Sequence, residues 1–232
     1  MPSRAAQRDA LLSCTLFTAM RPEELDRILT MGSERSYRRG QMIFQKGDTA
    51  SSMMAVLKGS VRISTGSADG KEVTLNTIRT GEVFGEIALL DGRPRSADAT
   101  AAEDSDLLVI ERRHFMPYLL ANQDLVVRMV AVLCQRLRQT SDALSDIVML
   151  DLPGRLARLL LRLAEDHGSA TPAGIRIEFK LSQRDIGTRV ASTRESVNKQ
   201  LQVWRDAGWL SLDRGYITLR HPERLRRMCE TD

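Results

Sequence analysis

Cysteine is scarce in this 232-residue chain: Cys14, Cys134 and Cys229 are odd in number and far apart. With no C-x-x-C pair, a disulfide framework, a zinc knot or a cysteine-held iron–sulfur cluster lacks its ligands, and ordinary, mostly buried thiols are expected. Histidine is as sparse. His114, His167 and His221 are scattered and none falls in residues 1–113, so the clustered ligands of a metal-dependent, cupin-type β-roll enzyme are missing. No apolar run approaches the roughly 18 residues of a membrane helix, and Met1–Ala10 lacks the apolar core of a secretory signal. A cytoplasmic protein, not an enzyme and with no metal, is the expectation.

What is present is an ordinary globular composition, 42% apolar and 28% charged. The net charge of +4 is modest but unevenly placed. Residues 152–232 hold 15 Arg/Lys against 10 Asp/Glu, whereas residues 1–151 are close to balance. A basic C-terminal third suits a partner with a phosphate backbone, although a solvated basic face would look the same.

After a short helical lead-in around Arg21–Met31, the stretch Ser36–Val109 alternates glycines with short apolar runs. These are Met42–Phe44, Met53–Leu57, Val61–Ser64, Val73–Ile78 and Leu107–Ile110. Turns at such spacing predict an all-β barrel or roll, with a hairpin at Ser67-Ala68-Asp69-Gly70. From about Asn122 the period changes. Val126, Val130, Leu133, Leu137, Thr140, Leu144 and Ile147 follow at steps of 4 and 3 in alternation, the seam of two helices packed along each other. At about 1.5 Å per residue, a helix from Leu125 to Met149 is roughly 40 Å long. Polar flanks at Arg128, Gln135, Arg136, Arg138, Gln139, Asp142 and Asp146 leave only a narrow stripe to cover, which favours a homodimer through residues 125–150 over a helix lying on its own domain. Leu152-Pro153-Gly154 then breaks the pattern as a hinge. Arg155–Asp166 predicts an amphipathic helix and His167–Gly174 a loop. The resulting division is 1–121, 122–151 and 152–232.

Two constellations carry chemistry. In the segment from Leu181 to Trp204, Ser182 can cap a helix whose inner face is Ile186 and Val190. After a tight turn, Ser192 or Thr193 caps a second helix with Val197, Leu201 and Trp204 inside; Ser192 with Glu195 reads as a capping box. Arg194, Glu195, Asn198 and Lys199 lie on its outer face. That is helix-turn-helix logic, in which Arg or Lys donates to guanine and Glu accepts from cytosine in the major groove. Gly208–Leu219 predicts a hairpin wing turning at Asp213-Arg214-Gly215. A salt-bridged solvated face is the plainer alternative for Arg194, Glu195 and Lys199.

The other constellation is Gly81–Ala97. A strand ends at Phe84, a helical turn covers Glu86–Leu90 and a strand resumes at Arg95-Ser96. Backbone amides at the start of that turn, the Arg95 fork and the Ser96 hydroxyl suit a phosphate. Glu86 would repel that phosphate unless it accepts from a sugar hydroxyl; together these needs describe a nucleotide. The same residues could equally form a structural Glu86–Arg95 ion pair.

The string Gly85-Glu86-Ile87-Ala88-Leu89 with Arg95-Ser96-Ala97 resembles the phosphate-binding cassette of cyclic-nucleotide-binding domains. With Thr140-Ser141, the junction Leu150-Asp151-x-x-Gly154-Arg155 and the helix-turn-helix, residues from Leu16 to Leu219 resemble the catabolite activator (cyclic AMP receptor) protein family. The resemblance implies an α+β architecture: an N-terminal antiparallel, jelly-roll-like β-roll, a long dimerisation helix and a C-terminal winged helix-turn-helix. It implies cyclic AMP as effector, with Gly85, Glu86, Ile87, Ala88, Arg95, Ser96 and Ala97 forming the cassette and Arg136, Thr140 and Ser141 joining from the long helix. There Arg95 and Ser96 hold the phosphate and Glu86 the ribose hydroxyl. Thr140 and, from the other subunit, Ser141 reach the adenine. It further implies Ser182, Gln183, Thr193, Arg194, Glu195, Asn198 and Lys199 on a palindromic double-stranded DNA site, and RNA polymerase as a partner. Lys199 stands where the family usually has Arg, which leaves the half-site open. Cyclic GMP, another small anion or no effector at all are the alternatives for the same DNA-binding regulator.

Overall fold

The structure is a computed structural model that describes residues 3–66 and 72–229; the expected turn at 67–70 lies outside the described residues. The chain divides into two compact units, Met1–Leu137 and Arg138–Asp232.

The first unit opens with helices α1 (Arg4–Leu12) and α2 (Pro22–Met31). Eight strands follow: β1 (Gly32–Tyr37), β2 (Met42–Phe44), β3 (Ser52–Lys58), β4 (Ser60–Gly66), β5 (Glu72–Arg79), β6 (Val83–Phe84), β7 (Asp98–Ala101) and β8 (Ser105–Glu111). Helix α3 (Glu86–Asp91) is set between β6 and β7, and α4 (Arg112–Leu120) leads into the long α5 (Gln123–Met149). The strands form two antiparallel sheets, ordered β1-β8-β3-β6 and β2-β7-β4-β5. This is the expected β-roll.

Strand β3 shows why it is central. Met53, Ala55 and Leu57 face a core shared with α1, α2, α4 and α5, while Met54 and Val56 face the interior between the sheets. Side chains alternate across a strand, so a strand covered on both faces is apolar without a break. β8 behaves alike, with Leu108 and Ile110 on one side and Leu107 and Val109 on the other. On α5, Leu125, Met129 and Val132 pack into the helical side of this core. The other stripe of α5 stays bare: Val130, Leu137, Leu144 and Ile147 are exposed. It is wider than the sequence suggests, because Val127, Val148 and Met149 are exposed too.

The second unit contains α6 (Leu152–His167), β9 (Gly168–Thr171), β10 (Gly174–Ile177), α7 (Gln183–Arg189), α8 (Arg194–Asp206), β11 (Leu210–Asp213), β12 (Tyr216–Leu219) and α9 (Pro222–Arg227). Its sheet runs β11-β12-β10-β9. Leu156, Leu160 and Leu163 of α6 share a core with Ile186, Val197, Leu201, Trp204 and Ile217, and Trp204 stacks on Trp209 at 6.2 Å.

Five expectations need correcting. The strand expected to resume at Arg95-Ser96 begins only at Asp98, with β7. The stretch 168–174 is a strand pair, β9 with β10, where a loop is predicted. Leu152-Pro153-Gly154 is the first turn of α6, capped by Asp151, so the break in helix is Leu150–Asp151; proline at the first helical position lacks only an amide that would be unpaired anyway. Thr193, not Ser192, caps α8, and its hydroxyl accepts from the Ser196 amide at 3.1 Å, so the Ser192–Glu195 capping box does not form. Of the thiols only Cys14 is buried; Cys134 is exposed and Cys229 half-buried.

Candidate functional site

In the first unit, a pocket of about 60 Å³ is lined by Gly85, Glu86, Ile87, Ala88, Arg95, Ser96, Ala97 and Arg136, together with Phe44, Ile63 and Phe84. Eight of the ten effector-site candidates thus share one wall. Strand β6 delivers the chain to Gly85, which turns it into α3 at φ 75°. Only glycine suits that turn, because an added Cβ would stand 2.5 Å from Arg95 Nη1 as well as being strained. Arg95 is held from both sides of its own backbone: its amide donates to Asp48 O at 2.9 Å, and its carbonyl accepts from Gly47 N at 2.8 Å. The guanidinium lies over the Phe44 ring, 4.1 Å from the centroid. It donates to Gly85 O at 3.0 Å and to Ser52 Oγ at 3.2 Å. Burial pulls its pKa below the ordinary arginine value, against the opposing pull of Asp48 and Glu86. Ser96 is exposed at the rim and Ala97 is buried behind it.

Glu86 is the unusual residue. Its side chain is fully buried and in ion-pair contact with Arg136 of α5, which also reaches the Val83 carbonyl. Apart from Arg136, no donor reaches either Glu86 oxygen among the described residues. A buried carboxylate in that condition carries a desolvation cost that a hydroxyl donor would relieve. The Glu86–Arg95 ion pair held open as the alternative is not formed; Glu86 pairs with Arg136 instead. Phe44, Ser52 and Asp48, which hold Arg95 in place, lie far from it in sequence and have no motif to announce them.

The second unit presents the other face. Ser182 caps α7, accepting from Asp185 N at 3.1 Å. Gln183 Nε2 donates to Asn198 Oδ1 at 2.7 Å and ties α7 to α8, so both are half-buried. Thr193, Arg194, Glu195 and Lys199 are exposed along the start of α8 while Val197, Leu201 and Trp204 are buried behind them. The hairpin β11–β12 closes through Arg214-Gly215 with φ 47° and 92°, the two positive angles of a tight two-residue turn. Beside it, Arg176 and Lys180 lie over the Tyr216 ring at 4.2 and 5.8 Å. A two-helix reader with a wing and cations along its edge can bind nucleic acid.

Comparison with known proteins agrees with both halves. Residues 34–122 match the family profile of the cyclic nucleotide-binding domain, and residues 154–228 that of the Crp-like helix-turn-helix domain. The chain is 30% identical over 205 residues to the cyclic AMP receptor protein of Thermus thermophilus, covering 88% of this chain and 92% of that one. The chain belongs to the cyclic AMP receptor protein family. It is 27% identical over 219 residues to a CRP-like cAMP-activated global transcriptional regulator of Mycobacterium tuberculosis, covering 94% of this chain and 98% of that one. A solved structure of a CooA variant from Carboxydothermus hydrogenoformans, 23% identical, covers 95% of each chain at a TM-score of 0.81 and shares the fold. As a member of the cyclic AMP receptor protein family, the chain is a transcription regulator with a cyclic-nucleotide-binding domain and a DNA-binding helix-turn-helix. Thr140 and Ser141, the remaining effector candidates, are exposed on α5 in the second unit. No group of metal-ligating side chains occurs among the described residues, and no single described helix is long and apolar enough to cross a membrane.

Proposed function

We propose that this regulator acts in the cytoplasm as a homodimer whose affinity for a palindromic DNA site is raised by cyclic AMP. The observation that carries the effector is Glu86: a fully buried carboxylate, paired with Arg136 and otherwise without a donor among the described residues, on the wall of a pocket that also holds Arg95 and Ser96. Cyclic AMP would bring a singly charged cyclic phosphate and a free ribose hydroxyl. Glu86 is suited to accept from the hydroxyl. The Arg95 fork and the Ser96 hydroxyl are suited to the phosphate once Arg95 exchanges its bonds to Gly85 and Ser52. The relatives from T. thermophilus and M. tuberculosis, named for cyclic AMP, favour the same nucleotide.

The bare stripe of α5 supports the homodimer through residues 125–150. Four large apolar side chains at heptad spacing have no cover in one chain, and a second copy of the helix would cover them. The functional division is then 1–121 for the effector, 122–151 for dimerisation and 152–232 for DNA. RNA polymerase follows as a partner from the regulator's family. Titration calorimetry of the full chain with cyclic AMP and with cyclic GMP tests the effector. Tighter binding of cyclic AMP is expected; binding of cyclic GMP alone would reassign the effector, and binding of neither would refute a switch by either nucleotide.

A further inference from the structure

Where α5 gives way to α6, the remote segment after α9 joins the two helices. Only Leu150 and Asp151 connect the two helices. Such a connector is free to bend unless side chains span it. One does. Arg158 of α6 donates through Nη1 to Asp146 Oδ1 of α5 at 2.5 Å, and through Nη2 to the Cys229 carbonyl at 2.8 Å. The Asp146 side chain is only 13% exposed while that of Arg158 is 37% exposed, so the carboxylate end of this pair is shielded and the guanidinium end partly open to solvent. The segment after α9 is seated tightly on the same turn: a Cβ at Gly154 would stand 2.9 Å from the Met228 carbonyl. Leu150 is buried at the junction. Beyond it, α6 shares one continuous core with α7 and α8, so whatever fixes the start of α6 fixes the reading helix too.

A guanidinium presents its donors in a rigid plane, and serving two segments at once orients both. We propose that Arg158 is a positioning residue of the switch. It clamps α5, α6 and the C-terminal segment into one joint, so a displacement of α5 passes to the helix-turn-helix rather than being absorbed at Leu150–Asp151. The clamp stands on the bonds just described; its role in transmission rests on the effector reading above.

Two measurements on the full chain separate these. Without nucleotide, hydrogen exchange of the amides in 150–155 (all but Pro153) in Arg158→Met and in Asp146→Asn is expected to quicken by about tenfold, as a local opening grows easier. Amides of α8 keep their wild-type protection. Arg158→Lys, which keeps the charge but loses the fork, falls between, and the double variant is no faster than Arg158→Met alone. Wild-type exchange at 150–155 in Arg158→Met overturns the clamp. The second measurement is the ratio of DNA affinities with and without saturating cyclic AMP, expected to fall at least about fivefold in Arg158→Met. A wild-type ratio well above one that survives in Arg158→Met overturns the role in transmission. A wild-type ratio of one refutes the effector reading itself, and the exchange result still decides the clamp.

Discussion

Arg95 and Glu86 stand on one wall and yet are not each other's partners, and that division is what makes the wall receptive. Arg95 spends two of its donors on Gly85 O and Ser52 Oγ, neutral acceptors that a phosphate oxygen can replace with gain. Glu86 is left with capacity to accept. Hydrogen bonds to charged groups contribute about 1.5–3 kcal/mol each, so Arg95→Ala and Glu86→Ala should each weaken cyclic AMP binding by more than about tenfold. Both variants should keep the wild-type melting cooperativity and dimer mass; unchanged affinity in Arg95→Ala would rule out this cavity as the effector site. The thiols give a second residue-scale test. Burial pushes the Cys14 thiol up to about 11, whereas Cys134 is exposed. A thiol raised on folding stabilises the folded state at neutral pH, and this contribution is lost as pH climbs from its unfolded value near 8.5 through the folded one. At pH 8 an alkylating reagent should therefore modify Cys134 and spare Cys14 until the chain is unfolded; equal rates would contradict the burial. The cassette was legible because its residues are contiguous from Gly85 to Ala97. Its supports were not: Phe44, Asp48 and Ser52 are brought beneath Arg95 by sheet pairing, which no local pattern encodes.

Helices α7 and α8 illustrate what periodicity can and cannot deliver. The inner faces, Ile186 with Val190 and Val197 with Leu201 and Trp204, are read from spacing alone because only a 3.6-residue period places them together. The cap is a finer matter. Ser192 and Thr193 are equally good caps by composition, and the tight turn, with Ala191 at φ 50°, decides for Thr193. β9 escapes sequence reading altogether, since Gly-Ser-Ala-Thr has little strand preference and becomes one by pairing with β10. β1 is hidden likewise: Gly-Ser-Glu-Arg-Ser-Tyr is largely polar, and its strand form comes from its ladder with β8. For DNA, the element-scale distinction is between the outer start of α8 and the edge of the wing. Glu195 can only accept, from an exposed amino group such as that of cytosine, so Glu195→Ala should relax discrimination at one base pair. Lys180 and Arg214 are exposed cations beside the wing turn. Lys180→Ala or Arg214→Ala should weaken binding to every sequence alike and flatten the dependence of log affinity on log salt by about 0.9 for each phosphate left without its cation. A selection experiment on randomised half-sites, repeated at several salt concentrations, separates the two effects; a change of preferred sequence in Lys180→Ala would contradict its placement beside the DNA backbone.

At the scale of the whole molecule, one helix serves both units. α5 buries Leu125, Met129 and Val132 in the core of the effector unit and carries Thr140 and Ser141 on its exposed part beyond Leu137. Thr140 falls in the seam of Val130, Leu137, Leu144 and Ile147, where a polar residue weakens pure apolar pairing and so needs another reason to be there. An effector that meets both subunits at this point supplies one. It would favour one register of the two helices, and with it one separation of the two recognition helices. Two-fold symmetry then calls for half-sites one helical turn apart, about 34 Å. A ligand shifts such an equilibrium only by its difference in affinity between the two arrangements, and couplings of about 1–3 kcal/mol are usual. By linkage, DNA must tighten cyclic AMP binding by the same factor that cyclic AMP tightens DNA binding. Thr140→Ala combined with Ser141→Ala leaves the cassette and the DNA-reading face untouched, so it should lower that shared factor while the affinity of the nucleotide-free regulator for DNA stays within about twofold of wild type. The measurement is a thermodynamic square: DNA affinity with and without saturating cyclic AMP, and cyclic AMP affinity with and without saturating operator DNA, for wild type and double variant. The two wild-type ratios should agree, and both should fall together in the double variant. An undiminished factor there would place the coupling elsewhere than at Thr140 and Ser141, and wild-type DNA affinity indifferent to cyclic AMP would mean that the regulator is constitutive.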